Sequence, residues 1–178
     1  VSGAAPRGSL FLCGFMGCGK STVGAALAPI VGMRFVDMDR FIEKLGGESV
    51  ADIFAHRGEA AFRELERRAS RELASLGGCV VATGGGAVLD AENAAAFKSS
   101  GLIALIDVPL EVIALRLSGD RTRPLLQRPD KLEAMRALYS QRMPLYRAAA
   151  DITVSNPDNR SEKYMAHLLA DCPEVRAL

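Results

Sequence analysis

Gly14-Phe15-Met16-Gly17-Cys18-Gly19-Lys20-Ser21 follows directly on the apolar run Leu10 to Cys13 and has the form GxxxxGK[ST]. Glycines let successive backbone N–H groups curl around an anion, and a helix opening just after the loop adds the positive end of its dipole. Lys20 supplies a mobile charge, and Ser21 a hydroxyl suited to Mg²⁺. A Gly-rich turn that merely opens a helix is the plainer alternative. The position between a short apolar strand and a helical pattern is the context that phosphate binding requires.

Outward from the loop, short apolar or β-branched runs recur at Leu10 to Cys13, Arg34 to Val36, Cys79 to Ala82, Leu102 to Ile106 and Ile152 to Val154. Each is too short for a helix, which predicts five strands. Between them, Phe62, Leu65, Ala69, Leu73 and Leu76, or Leu110, Ile113, Ala114 and Leu117, form single apolar stripes at helical spacing. Alternating strands and helices imply an α/β fold: a parallel sheet covered on both faces, with ligands beyond the carboxyl ends of the strands. The 178 residues suit one domain, 1–178. Residues 1–8 lack periodicity and are read as a flexible or processed end outside the fold. An irregular stretch over about residues 118–130 carries Gly119, Pro124, Pro129 and three arginines, which suits a mobile lid.

Hydrophobic residues make up 49% of the chain, which argues against disorder, and the formal net charge of +1 excludes the basic stripe of a nucleic-acid binder. No apolar run reaches the roughly 18 residues of a membrane span, and none has secretory flanks, so a soluble, cytoplasmic protein is expected. Cys13, Cys18, Cys79 and Cys172 show no CxxC spacing and are read as free thiols.

Four constellations fall at or beside the strand ends. Asp37 and Asp39, two apart at the close of the second strand, can face one cleft. Taken alone they read first as turn chemistry or a helix N-cap. Beside a phosphate loop they suggest water-mediated magnesium ligation and a grip on substrate hydroxyls. Arg63 and Glu66, one helical turn apart, offer either a guanidinium fork for a carboxylate or a solvated ion pair. Thr83-Gly84-Gly85-Gly86 lets backbone approach a ligand closely, and no single turn needs all three glycines. Arg116, Arg121 and Arg123 around the irregular stretch, with Arg142 on the next helix, supply the positive charge that phosphoryl transfer demands, although solubilising charge explains Arg121 as well. Asp107 ends an apolar run in the manner of a metal-binding aspartate, but Pro109 follows, so a helix cap is expected there.

These residues together resemble the shikimate kinase family of P-loop small-metabolite kinases. The likeness runs from about Leu10 to beyond Pro157: GFMGCGKS at Gly14 to Ser21, FVDMD at Phe35 to Asp39, GEAAFRELE at Gly58 to Glu66, TGGG at Thr83 to Gly86, RPLL at Arg123 to Leu126 and RMPLY at Arg142 to Tyr146. The resemblance implies a three-layer P-loop fold with a five-stranded parallel sheet in the order 2-3-1-4-5. It implies ATP as phosphoryl donor, Mg²⁺, and transfer to the 3-hydroxyl of shikimate by a monomer with no membrane or nucleic-acid partner. It assigns Lys20, Asp39 and Arg123 to catalysis, and Ser21 and Asp37 to the metal. Gly17, Cys18, Gly19, Lys20, Ser21, Thr22, Arg116, Arg123, Asn156 and Pro157 would bind nucleotide. Asp39, Arg63, Gly84, Gly85, Gly86 and Arg142 would bind shikimate, the two arginines clamping its carboxylate. Two alternatives stand beside it: a gluconate kinase, whose substrate also joins a carboxylate to hydroxyls, and a nucleotide-gated binding protein that transfers no phosphate.

Overall fold

The computed structural model describes residues 8–119 and 129–178. Most of the expected lid, with Arg121 and Arg123, lies outside the described residues. Five parallel strands form one sheet: β1 (Ser9–Cys13), β2 (Arg34–Asp37), β3 (Cys79–Ala82), β4 (Gly101–Asp107) and β5 (Ile152–Ser155), in the order β2-β3-β1-β4-β5. β1 sits at the centre, with Leu10, Phe11 and Leu12 opposite Val80, Val81 and Ala82 on one side and Leu102, Ile103 and Ala104 on the other. All five residues of β1 are buried, as befits a strand covered on both faces. The expected strand order and number are both present.

The helices are α1 (Lys20–Val31), α2 (Met38–Gly46), α3 (Val50–Leu76), α4 (Ala91–Ser100), α5 (Leu110–Arg116), α6 (Lys131–Ala149), α7 (Glu162–Ala170) and α8 (Pro173–Arg176). α3 is broken at Gly58, where φ 79° and ψ 174° leave the helical region, so the segment that carries Phe62, Arg63 and Glu66 starts afresh after it. At the far end of the sheet, close packing depends on Gly101: a Cβ there would lie 1.8 Å from the Ser9 carbonyl oxygen. Among the described residues no helix is long and apolar enough to cross a membrane.

α4 is anchored by Asp90, whose carboxylate accepts the amides of Glu92 (2.9 Å) and Asn93 (3.2 Å) and the Nε of Arg67 on α3 (3.1 Å). Burial pushes this carboxyl up, but the Asn93 amide, Arg67 and the Glu92 amide outweigh it and hold its pKa below the ordinary value of 3.8. A depressed carboxylate stabilises the fold above the unfolded pKa, and that contribution is lost as pH falls through the folded one. Asp90→Ala is therefore expected to lower stability by about 1 kcal/mol at pH 7. Thermal unfolding should show the difference from wild type shrinking below pH 4.

Candidate active site

The loop that follows β1 turns on Gly17 (φ 74°) and Gly19 (φ 97°), both in the left-handed region that favours glycine. Lys20 opens α1 and arches back over the loop, its Nζ donating to the carbonyls of Gly14 (2.8 Å) and Phe15 (3.3 Å). Cys18 is buried, with its Sγ 3.8 Å from the same Nζ. Thr22 Oγ1 donates to the Gly19 carbonyl at 3.0 Å and so closes the first turn of α1.

Ser21 Oγ donates to Asp37 Oδ2 at 2.7 Å, across from the end of β2. The other oxygen of Asp37, Oδ1, caps α2 by accepting the amides of Asp39 (3.1 Å) and Arg40 (3.3 Å). The cap and the metal-facing reading therefore coexist on one side chain, each using its own oxygen. A hydroxyl and a carboxylate placed together are hard oxygen donors that fit Mg²⁺. Among the described residues no three His, Cys, Asp or Glu side chains cluster to hold a metal by themselves. Mg²⁺ characteristically takes one or two protein groups together with substrate phosphates and water, which matches this pair.

Asp39, in the first turn of α2, is open to the cleft yet surrounded by its walls. That desolvation, followed by the charge of Asp37, raises its pKa above the ordinary 3.8, with Lys20 opposing. A cavity of about 440 Å³ is lined by Lys20, Ser21, Asp37, Asp39, Gly85 and Arg142, among others. Residues from the loop after β1, from α1, β2, α2 and β3, and from α6 thus meet at the carboxyl ends of the strands.

Arg63 and Glu66 form a tight pair, Nη1 to Oε2 at 2.8 Å, and Arg63 also donates to Glu59 at 3.2 Å. Glu66 is only 1% exposed, so the spacing that permitted a solvated ion pair instead builds a buried one. Burial raises the Glu66 carboxyl, with Arg63 pulling against it. The glycine segment threads between these groups. A Cβ on Gly84 would lie 3.1 Å from Glu66 Oε1 and 3.3 Å from Asp39 Oδ1. One on Gly86 would lie 2.7 Å from Arg63 Nη1, and one on Gly85 3.6 Å from Arg142 Nη1. Arg63, Asp39 and Arg142 therefore border one short stretch of bare backbone.

On the other side of the loop a second cavity, of about 390 Å³, shares Gly17, Gly19 and Thr22 with the first and extends to Arg116, Asn156 and Asn159. Arg116 Nη1 donates to the carbonyls of Gly17 and Cys18 (3.1 Å each), and its Nε to Asn159 Oδ1 at 2.8 Å. Asn156 is buried, and its amide braces its own loop by bonding the backbone of Arg160 through both ends. Pro157 is exposed and stands outside the lining of this cavity.

Asn159, Ser161 and Met165 line the second cavity without having been singled out from the sequence. Asn159 is the single described non-glycine residue with positive φ, 53°, and an Asn in a Pro-Asp-Asn turn was the available signal. Asp107 departs from expectation. It caps no helix, since α5 starts after Pro109 without a side-chain cap, and its Oδ2 accepts from Arg147 at 3.0 Å. The arginine four turns along α6 outcompetes the local amides. Arg123 lies outside the described residues.

Comparison with known proteins gives a consistent picture. The family model for shikimate kinase matches residues 16–173. The shikimate kinase of Psychrobacter cryohalolentis is 47% identical over 144 residues, covering 81% of this chain and 77% of its own. That of Geobacter sulfurreducens is 43% identical over 160 residues, covering 90% and 88%. The solved structure of the Acinetobacter baumannii shikimate kinase in complex with shikimate superposes with a TM-score of 0.85 at 35% identity, covering 92% of this chain and 91% of that one. The Aquifex aeolicus shikimate kinase gives a TM-score of 0.78 at 34% identity, covering 91% and 94%. With a family match across nearly the whole described fold and relatives above 40% identity over most of their length, the chain belongs to the shikimate kinase family.

Proposed function

We infer that this chain transfers the γ-phosphoryl group of ATP to the 3-hydroxyl of shikimate, giving shikimate 3-phosphate and ADP in aromatic amino acid biosynthesis. The observation that carries the reading is the pair of cavities meeting at one phosphate loop. The cavity beside Arg116 and Asn156 suits the nucleotide, and the one beside Asp39, Gly85 and Arg142 suits an acceptor with hydroxyls and a carboxylate.

The side-chain roles follow from charge and reach. Lys20, tethered to its loop, moves onto transferring phosphate oxygens, and Arg123 is assigned to the same charge. Ser21, and Asp37 through water, would hold Mg²⁺, which would neutralise phosphate charge as it develops. Asp39 accepts the hydrogen bond of the 3-hydroxyl and takes its proton. Its raised pKa makes it a better proton acceptor than a free carboxylate. Arg63 and Arg142 clamp the shikimate carboxylate. Because the transition state is loose, positioning and charge neutralisation outweigh proton removal.

An ADP-release assay with shikimate, gluconate and nucleoside monophosphates tests the reading. Turnover with shikimate alone is expected. Preference for gluconate, or nucleotide binding without turnover, would replace it. Gly86→Ala should crowd the Arg63 guanidinium and strain it against its Glu66 and Glu59 partners, which leave that side chain little freedom to yield. The Km for shikimate should rise about tenfold, near 1.4 kcal/mol, with the Km for ATP unchanged. A cytoplasmic monomer is the accompanying proposal: four free cysteines fit a reducing compartment, and light scattering of the purified protein tests the monomer.

A further inference from the structure

Tyr146 on α6 is fully buried, and its hydroxyl donates to the carbonyl of Gly85. It lies one helical turn beyond Arg142, so both side chains leave the same face of α6. A Cβ on Gly85 would lie 3.6 Å from Arg142 Nη1 and 4.0 Å from the Tyr146 hydroxyl, so both side chains approach Gly85, a lining residue of the acceptor cavity. Arg142 therefore sits beside the phenol, its positive charge favouring the ionised oxygen. That oxygen is therefore a donor to the glycine backbone, with the guanidinium of the clamp arginine close beside it. A buried phenol of this kind keeps its bond, since an unmade one leaves a polar group stranded away from water. Burial pushes its pKa up to about 12, with Arg142 opposing, so it remains a neutral donor throughout the physiological range.

We propose that Tyr146 is a positioning residue for the acceptor, fixing the Arg142 guanidinium against the Gly85 backbone so that the carboxylate clamp is pre-set before the substrate arrives. The inference rests on the reading of the cavity as the shikimate site. A preset clamp loses less side-chain freedom on binding, which favours affinity for the acceptor and leaves the nucleotide side untouched. Gly85 contributes its bare backbone to the same device, because the hydroxyl reaches its carbonyl from behind the cavity wall.

Tyr146→Phe keeps the ring and removes only the oxygen. The Km for shikimate is expected to rise roughly tenfold, while the Km for ATP stays constant and kcat changes less than threefold. In an Arg142→Ala background the same substitution should change the shikimate Km less than twofold, since there is no guanidinium left to place. An equal loss in both backgrounds, or an unchanged shikimate Km in Tyr146→Phe alone, would overturn the proposal. Wild-type protein without shikimate-dependent ADP release would overturn the functional reading, and this one with it. A second measurement does not depend on the folding of Tyr146→Phe. The chain has no Trp and three Tyr, so its near-ultraviolet band reports the phenols directly. The shikimate carboxylate offsets the Arg142 charge beside the phenol and so shifts that band. The resulting difference band should persist in Tyr139→Phe/Tyr164→Phe, and its absence there would equally overturn the assignment.

Discussion

Lys20→Ala lowers kcat on the order of 10²- to 10³-fold, the usual consequence of deleting one preorganised donor to developing charge. The Km for ATP changes much less, because the backbone amides of the loop still grip the phosphates. The loop keeps its shape for two reasons. Gly17 and Gly19 set its left-handed turns, and Arg116 holds the carbonyls of Gly17 and Cys18 from the opposite side. What disappears is a charge that is tethered at 2.8 Å to the Gly14 carbonyl and free to swing. Lys20→Arg should rescue little, since a planar fork has neither the size nor the point charge of an ammonium. Steady-state ADP release with a melting control checks this. A kcat within threefold of wild type would remove Lys20 from the transition state.

The two clamp arginines should fail in different ways. Arg63→Ala and Arg142→Ala each weaken shikimate binding by about 2–4 kcal/mol, roughly 30- to 1,000-fold in Km, as expected for truncating one partner of a desolvated charge pair. Unchanged shikimate affinity in both variants would sink the carboxylate assignment. Only Arg63→Ala also destabilises the fold, by about 3 kcal/mol, because it strands Glu66 as a buried, unpaired carboxylate. Arg142 is half-buried at the cavity wall, and its loss leaves no buried charge behind.

The pH dependence gives the sign. Burial already raises Glu66 above its ordinary 4.5, and removing Arg63 raises it further. A carboxyl raised in the folded state stabilises the fold below the unfolded pKa, and that contribution is lost as pH rises through the folded one. The stability deficit of Arg63→Ala should therefore be largest at neutral pH and should shrink on acidification toward 4.5. Thermal unfolding at pH 5 and pH 8 measures it, and a pH-independent deficit would argue against a stranded Glu66.

Much of the architecture was legible because it follows from local repetition. Each of the five strands lies within one residue of its apolar run at either end, since β-branched and apolar runs bounded by polar turns have few other uses. The break of α3 at Gly58 was not legible, because the apolar stripe resumes in helical register after it. Asp107 was misread for a related reason. Capping is a local preference, and the Arg147 that captures its carboxylate lies 40 residues away. Tyr146 stood in plain view within RMPLY, but a tyrosine among apolar neighbours carries no sign of the carbonyl that its hydroxyl will meet.

From the sequence alone come the phosphate loop, the five-strand pattern and the chemical types available: two carboxylates, a run of glycines and several arginines. Spacing along a chain determines these, because periodicity and turn chemistry belong to short segments of backbone. Tertiary structure decided which of them work together. β3 inserts between β2 and β1, which carries Gly84 to Gly86 between Asp39 and Arg63, and α6 returns across the sheet to bring Arg142 and Tyr146 onto Gly85. It also decided that Asp37 divides its two oxygens between a helix cap and Ser21, and that Glu66 is buried rather than solvated. Such choices depend on strand order and on packing across the sheet, and neither is written into the spacing of residues.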